Sequence, residues 1–265
     1  MKSFEFDKMH GAGNDFVVTH DPACPLDKES VALICDRKFG IGSDGLIFLS
    51  GEADGIRFQF WNPDGAKAEM CGNGLRCAME YACNHGLSET KEAVFLTDSG
   101  VLSAVRLYPG SIRIRMPQAT EPLMKTVKGY STYFLKVGVP HAVVEVDDLE
   151  NLDVKKIGNR LRYAEEFAPE GTNVDFVEVI DSDHLKIRTY ERGVEDETLA
   201  CGTGVTASAV FLMKNMEGCK KKYIFCRSGD EISVEFPENG NILKEIYLTG
   251  PAVTVFSGTY NITSF

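Results

Sequence analysis

No unbroken apolar run in this chain exceeds five residues, as in "AVFLM" from Ala209 to Met213. Spanning a bilayer as a helix takes about 20, so no membrane partner is expected. A block of basic residues is also missing. "KKK" at Lys220–Lys222 is short, and 39 acidic residues outweigh 28 basic ones for a net charge of −11. Nucleic acid is therefore not an expected partner. The opening "MKSFEFDK" mixes charges without an apolar stretch, so no secretory signal is expected and the expected location is the cytoplasm. Eight cysteines stand at 24, 35, 71, 77, 83, 201, 219 and 226, with no Cys-x2-Cys pair, and none of the five histidines completes a ligand spacing. A metal site is unsupported, and a disulfide framework is not expected in the cytoplasm.

What the chain does have is repetition. "EMCGNGLRCAMEYACNHG" (Glu69–Gly86) and "LACGTGVTASAVFLMKNMEG" (Leu199–Gly218) both read Cys-Gly-x-Gly, then a helical stretch, then a glycine placed to cap it. Cys71 and Cys201 are 130 positions apart (201 minus 71). Their neighbours repeat near the same offset. "IRFQFWNPDG" answers to "LKIRTYERG", "SGVLSAVRL" to "SGDEISVEF", and "GIGSDGLIFL" to "GTNVDFVEV" with Asp44 matched to Asp175. More weakly, "MHGAGNDFVV" answers to "VGVPHAVV". That order argues for a duplicated fold, since the period is far above that of repeat arrays.

Short alternating stretches such as "RFQF", "SIRIRM", "HAVVEV" and "EISVEF" read as half-buried strands, separated by turns such as "NPDG" and "YPG". Helices are fewer. One is expected over Asp27–Phe39 with Asp27 as N-cap, another over Leu152–Tyr163, and the two Cys-Gly helices are the most apolar and so central. The expected class is α+β: two pseudo-symmetric halves, each a mixed barrel-like sheet around a central helix. The expected division is residues 1–119 with the C-terminal strand 252–265, and residues 120–251.

A cysteine at a helix start meets backbone N–H groups and the positive end of the helix dipole, both of which favour thiolate. Two such thiols on opposite faces of one carbon suit inversion, one removing a proton and the other returning one. Helix-start amides would hold the carboxylate as charge grows on the α-carbon. Bare backbone there accounts for Gly72, Gly74, Gly202 and Gly204.

The blocks "MHGAGNDFVV", "FGIGSDGLIF", "WNPDGAKAEMCGNGLRC", "GTNVDFVEV" and "YERGVEDETLACGTG" together resemble the diaminopimelate epimerase family, of the pyridoxal-independent racemases. The resemblance runs end to end. It implies an active site in the cleft between the halves, a small amino-acid substrate, no cofactor, a homodimer, and interconversion of LL- and meso-diaminopimelate for lysine and peptidoglycan. It implies Cys71 and Cys201 as the acid–base pair, with His141 and Glu191 tuning them. It places Asn14, Asn62, Asn73, Asn173, Glu191 and Arg192 around the substrate, with amides from Gly72, Asn73, Gly202 and Thr203. Two departures stand out: Val139-Pro140-His141 where the family reads Asn-Pro-His, and one added residue in "VED" (Val194–Asp196). Rival readings are a racemase of the same superfamily acting on glutamate, proline or hydroxyproline, and a thiol redox sensor. Glu191 and Arg192 suit a distal ammonium and carboxylate better than a compact ring.

Overall fold

The computed structural model describes residues 2–68, 71–215, 220–239 and 241–262. Cys219 and the expected capping glycine Gly218 lie outside them. The chain divides into two compact units, one formed by Met1–Ile114 with Gly250–Phe265 and the other by Arg115–Thr249.

In the first unit the strands are β1 (Ser3–Gly11), β2 (Asn14–Thr19), β3 (Leu46–Glu52), β4 (Gly55–Trp61), β5 (Lys67–Ala68), β6 (Glu92–Thr97), β7 (Gly100–Tyr108) and β8 (Ser111–Arg115). In the second they are β9 (Leu123–Val127), β10 (Tyr130–Val137), β11 (Val139–Glu145), β12 (Asn173–Val179), β13 (His184–Glu191), β14 (Asp196–Thr198), β15 (Lys221–Phe225), β16 (Glu231–Glu235) and β17 (Tyr247–Pro251). The last strand, β18 (Val253–Asn261), pairs antiparallel with β1. The first sheet therefore runs β18-β1-β2-β3-β4-β6-β7-β8, with β2–β3 and β4–β6 parallel and the other neighbours antiparallel. The second runs β9-β10-β11-β12-β13-β15-β16-β17, with β11–β12 and β13–β15 parallel. The short strands β5 and β14 hang on β4 and β13. The two sheets share one topology, in which β18 stands where β9 stands. The chain's final strand thus completes the order that its first strand begins.

Among the described residues four α-helices sit at matching places: α1 (Lys28–Cys35) after β2, α2 (Gly72–Asn84) after β5, α3 (Val154–Arg162) after β11 and α4 (Gly202–Asn215) after β14. The second helix of each unit is the central one. α2 packs on β1, β2, β3 and β7, and α4 on β10, β11, β12, β13, β15 and β16. From Asn73 to Ala82 every residue of α2 is buried. Buried apolar side chains contribute roughly 1.5–3 kcal/mol each, and Leu75 and Met79 make such contributions from α2. α1 and α3 cover the other faces. Val31, Ile34 and Cys35 join Phe4, Val17, Leu46 and Trp61, and Val154 and Leu161 join Ala142, Val174, Phe176 and Tyr190.

Local chemistry sets the helix ends. Asp27 caps α1 by accepting from Ser30 N–H at 3.0 Å. The helix expected to reach Phe39 stops at Cys35, because Asp36 turns to extended backbone and takes the N–H groups of Lys38 and Phe39 on its own carboxylate, at 2.7 and 2.8 Å. α3 is likewise shorter than expected, starting at Val154 after its N-cap Asp153, whose carboxylate accepts from Lys156 N–H. α2 ends as the sequence indicates. Gly86 takes φ +71° and Leu87 N–H returns to the Ala82 carbonyl at 2.9 Å.

Cys24, Cys35, Cys77 and Cys226 are buried. Burial pushes the thiols of Cys24 and Cys77 up to about 12. An unfolded chain releases those protons near 9.0, while the folded chain keeps them to about 12, so their contribution is intact below the unfolded value and is lost as pH rises through that window. Between about pH 8 and pH 10 each such thiol costs roughly 1.4 kcal/mol of stability. Urea unfolding at the two pH values should show a smaller drop for Cys77→Ala than for the natural chain, by about that amount.

Candidate active site

In the first unit the thiol at the head of α2 lies in a polar corner. Cys71 is the N-cap, extended at φ −130° and ψ 124°, and its carbonyl accepts Leu75 N–H at 2.8 Å. The amides of the first turn have no partner inside the helix. Cys71 Sγ donates to Asn14 Oδ1 at 3.4 Å, and Asn73 Nδ2 donates to the same oxygen at 3.1 Å. Asn14 reaches this corner because the β1–β2 hairpin turns at Ala12 and Gly13, both at positive φ. Its orientation is fixed from behind, where Asn14 Nδ2 donates to Asp44 Oδ2 at 2.8 Å. Asp44 is paired with Arg37, which also bridges Asp15, itself paired with the buried Lys8. Burial alone would raise the Asp15 carboxyl, but Arg37 and Lys8 bring it far below the usual range. Asn73 is held from the other side by Arg76, which is fully buried and anchored on the Pro251 carbonyl.

The second unit brings together His141, Asn173, Cys201 and Thr203 with the backbone of Arg192. His141 is fully buried on β11, its Nδ1 2.7 Å from Asp175 Oδ2 on β12. Its Nε2 lies 3.5 Å from Asn173 Nδ2. Asn173 Oδ1 in turn accepts Arg192 N–H at 2.7 Å, fixing the start of the loop after β13. Cys201 Sγ is 3.4 Å from Thr203 Oγ1. Burial first, then the negative charges of Glu191 and Asp175, push the Cys201 thiol well above its ordinary value, against the Thr203 hydroxyl and Gly204 N–H. Cys201 thus rests as a thiol. The Arg192 guanidinium lies at the surface and donates to the Glu170 carbonyl.

Asn62 lies between β4 and β5. It is exposed in the turn after β4, where its backbone exchanges bonds with Ala66 and Gly65. The register explains its place in the pattern. Leu46 pairs with Trp61, and Val174 with Tyr190, which makes Asn62 the counterpart of Glu191. The same register corrects the matching of Asp44 with Asp175. Leu46 corresponds to Val174, so Asp175 corresponds to Ile47, and Asp44 lies before the strand as a hydrogen-bond partner of Asn14. The error came from aligning one Asp with another across loops of unequal length. Arg37, Asp44, Arg76 and Asp175 were not singled out as site residues. They touch the site from behind, and Asp44, Arg76 and Asp175 fall in repeated blocks while Arg37 does not. Among the described residues no group of three or more His, Cys, Asp or Glu is arranged to hold a metal.

Two topologically equal sheets, each wrapped on a helix headed by a cysteine, make a fold that racemases and epimerases share. Solved structures agree at the level of fold. A phenazine biosynthesis protein of the PhzF family from Bacillus anthracis superposes with a TM-score of 0.75 at 17% identity, covering 99% of this chain and 100% of that one. A hydroxyproline epimerase from Agrobacterium vitis gives 0.69 at 15%, covering 98% and 91%. Sequence is more specific. The chain matches the diaminopimelate epimerase family over residues 6–115 and 133–255. It is 40% identical to the diaminopimelate epimerase of Aquifex aeolicus, over 96% of each chain, and 39% identical to that of Chlorobaculum tepidum, over 96% of this chain and 100% of the other. This protein belongs to the diaminopimelate epimerase family, and is an isomerase. The proline-type racemase reading is not favoured, since those proteins share the fold at far lower identity.

Proposed function

We propose that this chain interconverts LL- and meso-diaminopimelate with Cys71 and Cys201 as its two proton carriers. One observation carries the reading: each of two topologically identical units in a member of this family heads its central helix with a cysteine. Cys201 holds its proton; Cys71 first releases to solvent the proton it donates to Asn14 and then enters as the base. Cys71 thiolate takes the α-proton and becomes a thiol; the carbon lone pair then takes the Cys201 proton on the other face, leaving Cys201 as thiolate. The pair has exchanged roles, and no electrons are gained or lost. The α-carboxylate lies on the amides of Gly72, Asn73, Gly202 and Thr203, where negative charge at helix starts is favoured. Asn14, Asn62, Asn73, Asn173, Glu191 and Arg192 hold the rest of the substrate. His141 and Glu191 set the proton affinity of the thiols. The homodimer and the cytoplasmic location follow from the same family resemblance.

The test is solvent deuterium. Reduced protein given LL-diaminopimelate in heavy water should yield meso product carrying deuterium at the inverted carbon. Product without deuterium, or no product, would sink the two-base reading.

A further inference from the structure

The two helix starts rest on unlike floors. In the first unit, a Cβ added at Gly74 meets Ile47 Cδ1 at 3.0 Å and Phe16 Cζ at 3.6 Å. In the second, one added at Gly204 collides with Asp175, whose Cγ is 3.1 Å away, and meets Thr189 Oγ1 at 3.3 Å. The registers make these equivalent places. Phe16 corresponds to His141, Ile47 to Asp175 and Phe60 to Thr189. The duplicated fold thus carries an apolar trio under one cysteine helix and a hydrogen-bonded polar trio under the other.

We propose that Asp175 is a positioning residue, which fixes the Nδ1-protonated form of His141 and so gives the helix start of Cys201 a polar floor where that of Cys71 has an apolar one. Thr189 Oγ1 donates to Asp175 Oδ1 at 2.8 Å, so that oxygen acts as acceptor. The second oxygen, 2.7 Å from His141 Nδ1, accepts the ring proton. Nε2 is then the acceptor, with Asn173 Nδ2 at 3.5 Å. Asp175, His141 and Thr189 are all buried, at 0%, 0% and 3% exposure, so the arrangement is shielded from water. A buried carboxylate left only to packing would be a burden on the fold. Here it is bonded on both oxygens and lies directly under the helix start. The consequence is a division of labour: the two thiols of a symmetric fold are made chemically unequal by one side of the repeat.

The kinetic arm rests on the reading of Cys201 as a proton carrier; the spectroscopic arm does not. Without substrate, the proton NMR spectrum should contain a downfield, exchange-protected ring N–H resonance, assigned by its loss in His141→Gln. In Asp175→Asn it should move upfield or vanish, and kcat per folded molecule should fall at least about tenfold with KM within about twofold. Should Asp175→Asn fail to fold, Thr189→Val removes one bond to the carboxylate, makes it a stronger acceptor, and should move the resonance further downfield. An unmoved resonance in Asp175→Asn, or in Thr189→Val, overturns the proposal. So does a folded Asp175→Asn with unchanged kcat. Absence of any turnover by the natural protein, with the resonance shifting as stated, would instead overturn the assigned reaction and leave the His141–Asp175 coupling standing.

Discussion

Cys71→Ala and Cys201→Ala each abolish conversion of one diaminopimelate stereoisomer into the other, with kcat/KM falling by about 10³ or more. Each variant keeps one thiol, and that thiol still works from one face. It can take an α-proton, exchange it with heavy water and return it without inversion. The variant with only Cys201 should therefore wash deuterium into one stereoisomer, and the variant with only Cys71 into the other. That complementarity is the decisive reading, because a damaged fold would lower exchange into both. Mass spectrometry of the recovered amino acid checks it. Near-normal epimerisation by either variant would show that the duplicated cysteine is ornament and that another group moves the proton.

The sequence made these two residues legible because the duplication placed them at corresponding helix starts. A chain that repeats Cys-Gly-x-Gly at half its length, with a strand and turn before and a strand after, states its symmetry in local pattern. α2 and α4 were readable for the same reason, and so was the Gly86 cap. The end of α1 was not. Apolar spacing continued past Cys35, but Asp36 captured two N–H groups that a continued helix would have used. Pattern does not report that competition. The polar supports of the site were also hidden. Arg37, Asp44 and Arg76 act through long-range bonds, to Asp15, Asn14 and Pro251, and nothing in the local sequence announces a partner 175 positions away. Asp175 was visible but misassigned, since its match depends on strand register, which only the paired structure supplies. The loop after β13 holds four residues between the paired Glu191 and Asp196, and the loop after β4 five between the paired Trp61 and Lys67. In the loop after β13, Glu195 takes φ +58° and closes the loop by bonding back to the Glu191 carbonyl at 2.8 Å.

Gly204→Ala should lower both stability and activity, whereas Gly74→Ala, at the equivalent place, should be tolerated. Both glycines sit inside a first helical turn, where alanine is intrinsically favoured by about 1 kcal/mol. At Gly74 the new methyl faces the tip of Ile47, a flexible end that can give by a few tenths of an ångström. The propensity gain and the small crowding then nearly offset each other. At Gly204 the methyl lands on the carboxylate of Asp175, and that carboxylate is bonded to His141 and Thr189. It cannot move without breaking one of those bonds in a buried place. Overpacking of this kind typically costs about 1–3 kcal/mol, and the strained bond adds to it. We expect Gly204→Ala to lose about 2 kcal/mol net in urea unfolding and Gly74→Ala to stay within about 1 kcal/mol of the natural chain. Turnover of Gly204→Ala should fall even under conditions where the variant is fully folded, because the carboxylate that orients His141 has been displaced. Equal stability losses at the two glycines would show that the floors under the two cysteine helices differ in composition but not in stiffness.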